Sequence, residues 1–477
     1  MQFNSFSYCA FLAIAVFMFW QLPVALRRPF VLGVSLLFYA TWSPLFVLIP
    51  IGVSVACYLF GYLILNRPDQ ESRWFWCGVG MVLCTLAFFK YRIFFLANFN
   101  AALALFGARP LSRPAAIALP LGISFYSFEA ISYLIDTRQR RIQKRSFLDL
   151  LLFIMFWPHL MAGPIVRVRE LVPQLKFDAP LDADLFFSGV DRLIWGLVQK
   201  NAIANVLGAW VDSAFKSGRQ YSTLDSWLLA IAFGLQIYFD FAAYSNMAIG
   251  AARLIGVRLP ENFRYPYHAA TPVDFWARWH MSLSRWIRDY LFFPLGVRFN
   301  GAPLGLYASL LGVMALVGLW HGAGWNFIVW GVLQGCYLVL YRIYESFAAS
   351  RPRLSGMKTV RLGWRVFTFA AVMLAWVPFR SSGALQTWSM LSAMLLHWHW
   401  AASFSQPFYV MVIAFCAFAA VEPFLAEQLA TADAAAATRG AVFFAGRLVV
   451  RPLLYACGLL LFMAFQAQNA QFIYFQF

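Results

Sequence analysis

The chain has 477 residues, of which 62% are hydrophobic and 12% charged, with 50 Phe and 19 Trp. Soluble domains carry about 25% charged residues, so this composition excludes a soluble globular protein and makes lipid the solvent for most of the surface. The formal net charge of +17 comes from 37 Lys and Arg against 20 Asp and Glu. Those cations fall between apolar runs, as cytoplasmic loops facing anionic lipid require, so no nucleic acid is needed to explain them.

A helix needs about 20 apolar residues to span a bilayer. The first run, Phe6–Leu26, has no basic residue before it and Arg27-Arg28 after it. That is the reverse of a cleaved signal peptide. It predicts a retained helix with its N-terminus outside and the two arginines in the cytoplasm. Phe30–Leu65 follows as a tight helical pair, then Trp74–Phe95, Ala115–Ile135, Phe147–Val166, Phe186–Val211 and Trp227–Ile255. After an interruption come Leu304–Trp320, Trp325–Tyr344, Val366–Pro378, Leu385–Leu396, Phe408–Phe424 and Leu448–Phe465.

About a dozen segments result, several too short to span alone and so candidates for re-entrant pieces sheltered by protein. The expectation is an all-α, polytopic membrane protein in which residues 1–477 form one membrane domain. The basic blocks Arg138–Arg145 and Arg351–Arg365, the latter with Arg353, Lys358 and Arg361, are predicted to face the cytoplasm. Ala430–Ala437 reads as a loop. The seven cysteines lie mostly inside apolar runs with no C-x-x-C pair, as small buried hydrophobes rather than metal ligands or a disulfide framework.

Pro260–Phe299 is the longest stretch that is not plainly a span. Thr271-Pro272-Val273-Asp274 reads as a helix start, with Thr271 capping and Pro272 in the first turn. At about 100° per residue, Trp276, Trp279, Leu283, Trp286, Ile287 and Tyr290 share a face, with Arg278, Arg285 and Arg288 roughly opposite. This predicts an amphipathic helix suited to the membrane interface, where Trp and Arg are also ordinary anchors. His280 falls on the apolar side and needs a partner or a cavity. By spacing alone it suits a satisfied core histidine as well as a catalytic one.

His321 lies between two apolar runs in Gly318-Leu319-Trp320-His321-Gly322-Ala323-Gly324-Trp325-Asn326. The glycines let backbones approach or break a helix inside the bilayer, and an ionisable group at that depth is a functional candidate. Glu129, His159 and Asp240 are further polar groups at or near membrane depth, each needing a partner because a buried charge costs at least about 2.5–3.5 kcal/mol. His397 and His399 read as loop residues in a Trp-rich stretch, although H-x-H binds metal weakly. No G-x-S-x-G elbow, P-loop or G-x-G-x-x-G loop occurs. Histidine without an evident protein nucleophile points to general-base activation of a bound hydroxyl.

At these residues the chain resembles the membrane-bound O-acyltransferase family. It is similar to the bacterial branch that contains the alginate O-acetyltransferase membrane subunit and the membrane protein of teichoic acid D-alanylation. The resemblance rests on Phe89-Lys90-Tyr91, PLGISFYSFEAISYLID (120–136), PHLMAGPIVR (158–167), YFDFAAYSNMAIG (238–250), ENFRYPY (261–267), FWARWHMSLSRWIRDYLFFPLG (275–296) and GLWHGAGWNFIVWG (318–331). They come in family order and cover most of 89–331; the terminal FIYFQF (472–477) is similar to the alginate type. Departures at Ala242-Ala243, Asn246 and Val297 remove no histidine and leave the polymer open.

The resemblance implies a ring of helices around a funnel that brings a cytoplasmic acyl thioester to a central tunnel. His321 matches the active-site histidine, and His280 matches a second position that is usually Asn or His. Arg278, Arg285 and Arg288 become candidates for donor phosphates, with Asp240, Glu129, His159 and Asn326 in donor-binding or supporting roles. The resemblance implies an inner-membrane O-acetyltransferase, with acetyl-CoA or an acyl carrier as donor, no cofactor, and periplasmic acetyl-relay proteins as partners. Alginate leads as acceptor, with cellulose next. Transfer of D-alanine to teichoic acid and non-enzymatic polymer export are the competing readings.

Overall fold

The computed structural model describes residues 1–115, 117–142, 146–161, 163–298, 302–351, 357–438, 451–465 and 472–473. Among them helices dominate and no strand occurs. Seven helical stretches among the described residues are long and apolar enough to cross a membrane: Leu45–Asn66, Pro68–Leu105, Thr223–Leu254, Pro303–His321, Trp325–Ala349, Lys358–Arg380 and Gln406–Gln428. Two shorter apolar helices, Phe6–Gln21 and Arg451–Phe465, accompany them. The chain is a multi-pass membrane protein, and the polytopic all-α expectation stands. Arg353 and residues 143–145 of the two basic blocks lie outside the described residues.

The chain packs as two compact units, residues 1–193 with 245–260, and 194–244 with 261–477. In the first, helices α1 (Phe6–Gln21) and α2 (Val24–Ala40) break at Pro23, which starts α2 and cannot continue α1. Arg27 and Arg28 therefore lie in the first turns of α2 rather than in a loop. Helices α3 (Leu48–Asn66) and α4 (Glu71–Leu86) follow, and α4 runs through a π-turn into α5 (Arg92–Leu105). Helix α6 (Ile123–Arg138) packs on α3 and α4 because small residues admit it. A Cβ at Gly61 would sit 3.0 Å from the Tyr133 hydroxyl, and one at Gly78 would sit 3.0 Å from Leu134. Such positions are how helices approach closely in lipid.

The run predicted over 147–166 is not one helix. It divides into α7 (Phe147–Met155) and the single turn α8 (Trp157–Leu160), where Pro158 at the second position forbids continuation from α7. The short α9 (Val168–Leu171) and then α10 (Ala183–Val198) follow. Irregular backbone of this kind is tolerated because protein covers it, and residues 150–161 are buried almost throughout.

In the second unit, a π-turn over Gln199–Ala204 leads to α11 (Asn205–Lys216). Helix α12 (Thr223–Leu254) contributes its first two-thirds here, and 83% of its apolar window is buried. The predicted interfacial helix is in fact broken. Helix α13 (Pro272–Arg278) ends, His280 adopts a left-handed conformation (φ 43°, ψ 52°), and α14 (Met281–Ile287) begins, running through a π-turn into α15 (Phe293–Arg298). Period-based reading cannot register such a break, because the apolar positions on either side still look helical. Trp279, Leu283, Trp286, Ile287 and Tyr290 are buried while Arg285 and Arg288 are exposed, so the segment has the expected polarity but its apolar side meets protein.

Helices α16 (Pro303–His321) and α17 (Trp325–Ala349) form a tight hairpin. Helix α18 (Lys358–Arg380) is longer than the predicted Val366–Pro378. Its Lys358, Arg361 and Arg365 lie in the first two turns, where long cationic side chains keep their heads in water. Helices α19 (Ala384–Leu395), α20 (Gln406–Thr438) and α21 (Arg451–Phe465) complete the unit. The predicted loop at 430–437 is helical and belongs to α20, as the helix propensity of alanine allows.

Candidate active site

His321 is the last residue of α16, and Gly322–Gly324 turn the chain into α17. The hairpin closes on two glycines. A Cβ at Gly318 would collide with the Phe327 carbonyl, and one at Gly331 with the Met314 carbonyl. The two backbones therefore touch where the histidine leaves the helix. His321 is 3% exposed and is enclosed by Trp320 (ring centroids 4.8 Å apart), Trp330 (5.0 Å, perpendicular) and Phe379 (5.4 Å).

This enclosure extends as a file of tryptophans. Trp330 stacks on Trp376 at 5.9 Å, and Trp376 lies 5.1 Å from Trp279, the neighbour of His280. Asn326 locks the assembly, because its amide donates to the carbonyls of Pro378 (3.2 Å) and Ser381 (3.1 Å). That ties the start of α17 to the end of α18 beside Phe379. Asn326 thus braces the cage around His321.

His280 is fully buried and also neighbours Trp320, at 6.3 Å between rings. Phe241 meets it edge-on at 4.6 Å. Its Nδ1 is 3.1 Å from Asn262 Oδ1, which also accepts from the Ser282 backbone N–H (3.3 Å) and hydroxyl (2.8 Å). A backbone N–H can only donate, so the Asn262 atom facing it is the oxygen, and His280 must donate to that oxygen through Nδ1–H. The lone pair is then on Nε2. His280 lies outside the seven long apolar helices, and burial pushes its pKa down to about 3, so the ring is neutral at physiological pH.

Asp240 occupies a third position, next to Phe241 on α12. Lys200, presented by the π-turn over 199–204, reaches its carboxylate at 2.7 Å, and the backbone N–H of Ile473 donates to it at 2.8 Å. Phe472 packs on Tyr244 and Phe241 at 4.2 and 5.7 Å. The described piece of the C-terminal segment therefore rests on the aromatic ring that contacts His280.

Of the predicted arginines, Arg278 is held by Asp274 at 2.7 Å and Arg288 by Asp289 at 2.8 Å, while Arg285 is exposed on α14. Glu129 and His159 meet each other in the first unit, with Nδ1 to Oε1 at 3.3 Å and both 2% exposed. His397 and His399 lie in the loop after α19, as expected, and the His399 backbone bonds to Thr223. Among the described residues no group of three His, Cys, Asp or Glu gathers as a metal site.

Sequence reading missed Lys200, Asn262 and the cage of Trp330, Trp376 and Phe379. A lysine inside the apolar run 186–211 was a visible signal for the first. Nothing in the sequence singles out Asn262, whose role depends on 18 residues of intervening chain folding back.

Comparison with known proteins bears on this geometry. The family model described as MBOAT, membrane-bound O-acyltransferase family, matches residues 73–379, a span that includes both histidines, Asp240 and Asn326. The chain is 39% identical over 398 residues to the probable alginate O-acetylase AlgI of Azotobacter vinelandii, covering 82% of this chain and 77% of that one. It is 39% identical over 402 residues to the Pseudomonas aeruginosa protein of the same name, covering 81% and 75%. It is 33% identical over 394 residues to a peptidoglycan O-acetyltransferase of Helicobacter pylori, covering 76% and 72%. With a family match over more than half its length and relatives this similar, the chain belongs to the membrane-bound O-acyltransferase family and is an acyltransferase.

Proposed function

We propose that the protein is an inner-membrane O-acetyltransferase. It takes an acetyl group from a cytoplasmic thioester, acetyl-CoA, and passes it across the membrane for O-acetylation of a secreted polysaccharide of the alginate type. A periplasmic relay protein is the proposed immediate partner. Two kinds of relative support the acetyl group and the glycan acceptor together, since their names give acetyl transfer to alginate and to peptidoglycan.

The observation that carries the reading is the placement of His321, a buried imidazole at a helix end inside a rigid aromatic cage. An acceptor hydroxyl is a poor nucleophile. As its oxygen attacks the thioester carbonyl, His321 takes its proton; collapse of the tetrahedral intermediate breaks the C–S bond, and the imidazolium returns the proton to the departing thiolate. General-base catalysis contributes about 10²–10⁴-fold, or roughly 3–5 kcal/mol of barrier. His280, neutral with its lone pair on Nε2, accepts hydrogen bonds and does not donate one to a carbonyl oxygen from that atom. We therefore assign it to support His321 and the acceptor hydroxyl rather than to polarise the donor. Arg285 is the arginine best exposed for donor phosphate, and Arg278 and Arg288 assist once their carboxylates are displaced.

His321→Ala should abolish polymer acetylation while the protein inserts normally and polymer is still secreted. An inserted variant acetylating at more than about a tenth of the normal rate would contradict a base contribution of 10²-fold or more.

A further inference from the structure

An open cavity of about 470 Å³ lies far along α17 from His321, between the C-terminal turns of α17 and the N-terminal turns of α18. Its walls include Thr271, Tyr341, Tyr344, Glu345, Arg361 and Trp364. The aromatic side is well ordered by its own contacts. Trp364 is met edge-on by Tyr341 at 4.9 Å and at a tilt by Tyr344 at 4.7 Å. From Tyr344 to Trp330 the helix rises about 21 Å, so the groove is remote from the aromatic cage of His321.

We propose that this groove holds the phosphate of an anionic phospholipid of the cytoplasmic leaflet. Charge is the first reason. Glu345 is engaged by Arg342 at 2.8 Å, which leaves Arg361 as the cation lining the groove among the described residues. Arg351, Lys358 and Arg365 add exposed positive charge at the same helix ends, where the positive-inside rule places the cytoplasm. A planar guanidinium gives a phosphate paired hydrogen bonds.

Continuity with apolar surface is the second reason, and it selects a lipid over a water-soluble phosphate. Tyr344 lies on one helical stripe with Leu340 and Phe347, which are 47% and 48% exposed, and the Arg351 guanidinium stands 4.0 Å over the Phe347 ring. Next to Arg361 and Arg365 on α18 runs a second stripe of Leu362, Val366 and Phe369, exposed by 60%, 61% and 37%. A headgroup in the groove would have its acyl chains along these stripes. Basic pockets between membrane helices, rimmed by Tyr and Trp at the interface, are suited to phospholipid headgroups.

The test uses the full-length protein in nanodiscs of phosphatidylcholine with and without phosphatidylglycerol, and counts retained phosphatidylglycerol by native mass spectrometry after release. The expected result is preferential retention by the wild type, weakened about fivefold in Arg361→Gln. Arg365→Gln, which removes an exposed charge outside the groove, should weaken retention clearly less than Arg361→Gln. Equal retention by Arg361→Gln and the wild type, or equal loss in both variants, would overturn the proposal. So would the finding that acetyl-CoA, and not phosphatidylglycerol, binds in an Arg361-dependent way, because the groove would then belong to the donor. Matched thermal melts of the two variants keep folding out of the comparison.

Discussion

Replacing Gly318 with alanine should damage the enzyme far more than its one methyl group suggests. The new Cβ meets the Phe327 carbonyl of α17, which is backbone and cannot rotate away. The hairpin must open by about 1 Å or more to restore ordinary contact distances. Overpacking of this kind costs about 1–3 kcal/mol. The greater effect is positional, because His321 sits one turn after Gly318 while Trp330, part of its cage, sits one turn after Phe327. A misplacement of about 1 Å between reacting groups can cost about 100-fold in rate. Acetyl transfer to polymer should therefore fall about 100-fold in membranes that carry normal amounts of protein. Gly331→Ala, whose Cβ meets the Met314 carbonyl, should behave alike. Gly312, on the same helix, has nothing within 4 Å of the place a Cβ would take, so Gly312→Ala should keep activity and gain up to about 1 kcal/mol of helix propensity. If Gly318→Ala and Gly312→Ala acetylate equally, the close approach of the two backbones does not position His321.

Three further outcomes are expected. Lys200→Met leaves Asp240 buried without its cation and should cost about 3–5 kcal/mol of stability, seen as a lowered melting temperature in detergent. Lys200→Met/Asp240→Asn should recover most of the loss, and a double variant as unstable as the single one would show that the charge pair is not the cause. Asn262→Asp sets a carboxylate against His280 and should raise that pKa by about 1–3 units from about 3. The imidazole is then neutral only above the raised value, so activity should be lost as pH falls through about 4–6; an acid limb identical to the wild type would refute the assignment. Cysteines placed at Arg140 and at Arg361 in a cysteine-free background should resist an impermeant thiol reagent applied from the periplasm, and labelling of either would invert the topology.

The fold class was legible because apolar run length needs no tertiary information. The ends of helices were less so: α18 begins eight residues before its predicted start, since Lys358, Arg361 and Arg365 depress hydropathy without breaking a helix. The candidate histidines were legible as ionisable groups in apolar surroundings. Their partners were not. Asn262 looks like any polar loop residue until Ser282 and His280 fold against it. The break at His280 was invisible because a left-handed residue leaves no mark in hydrophobic periodicity.

That left-handed residue has an evolutionary consequence. Most side chains pay about 1–2 kcal/mol for such a backbone, whereas Asn, Asp and His occupy it several-fold more readily. The set of viable replacements at 280 is thus narrowed by the main chain before chemistry is consulted. A single base change turns a histidine codon into an asparagine codon, so one of the one-base steps away from His280 lands on a residue the backbone already accepts. Alanine at this site confounds lost chemistry with added strain, and asparagine is the replacement that separates them. Exchange between these two residues changes the side-chain chemistry at 280 and leaves the left-handed bend that carries it acceptable to the main chain.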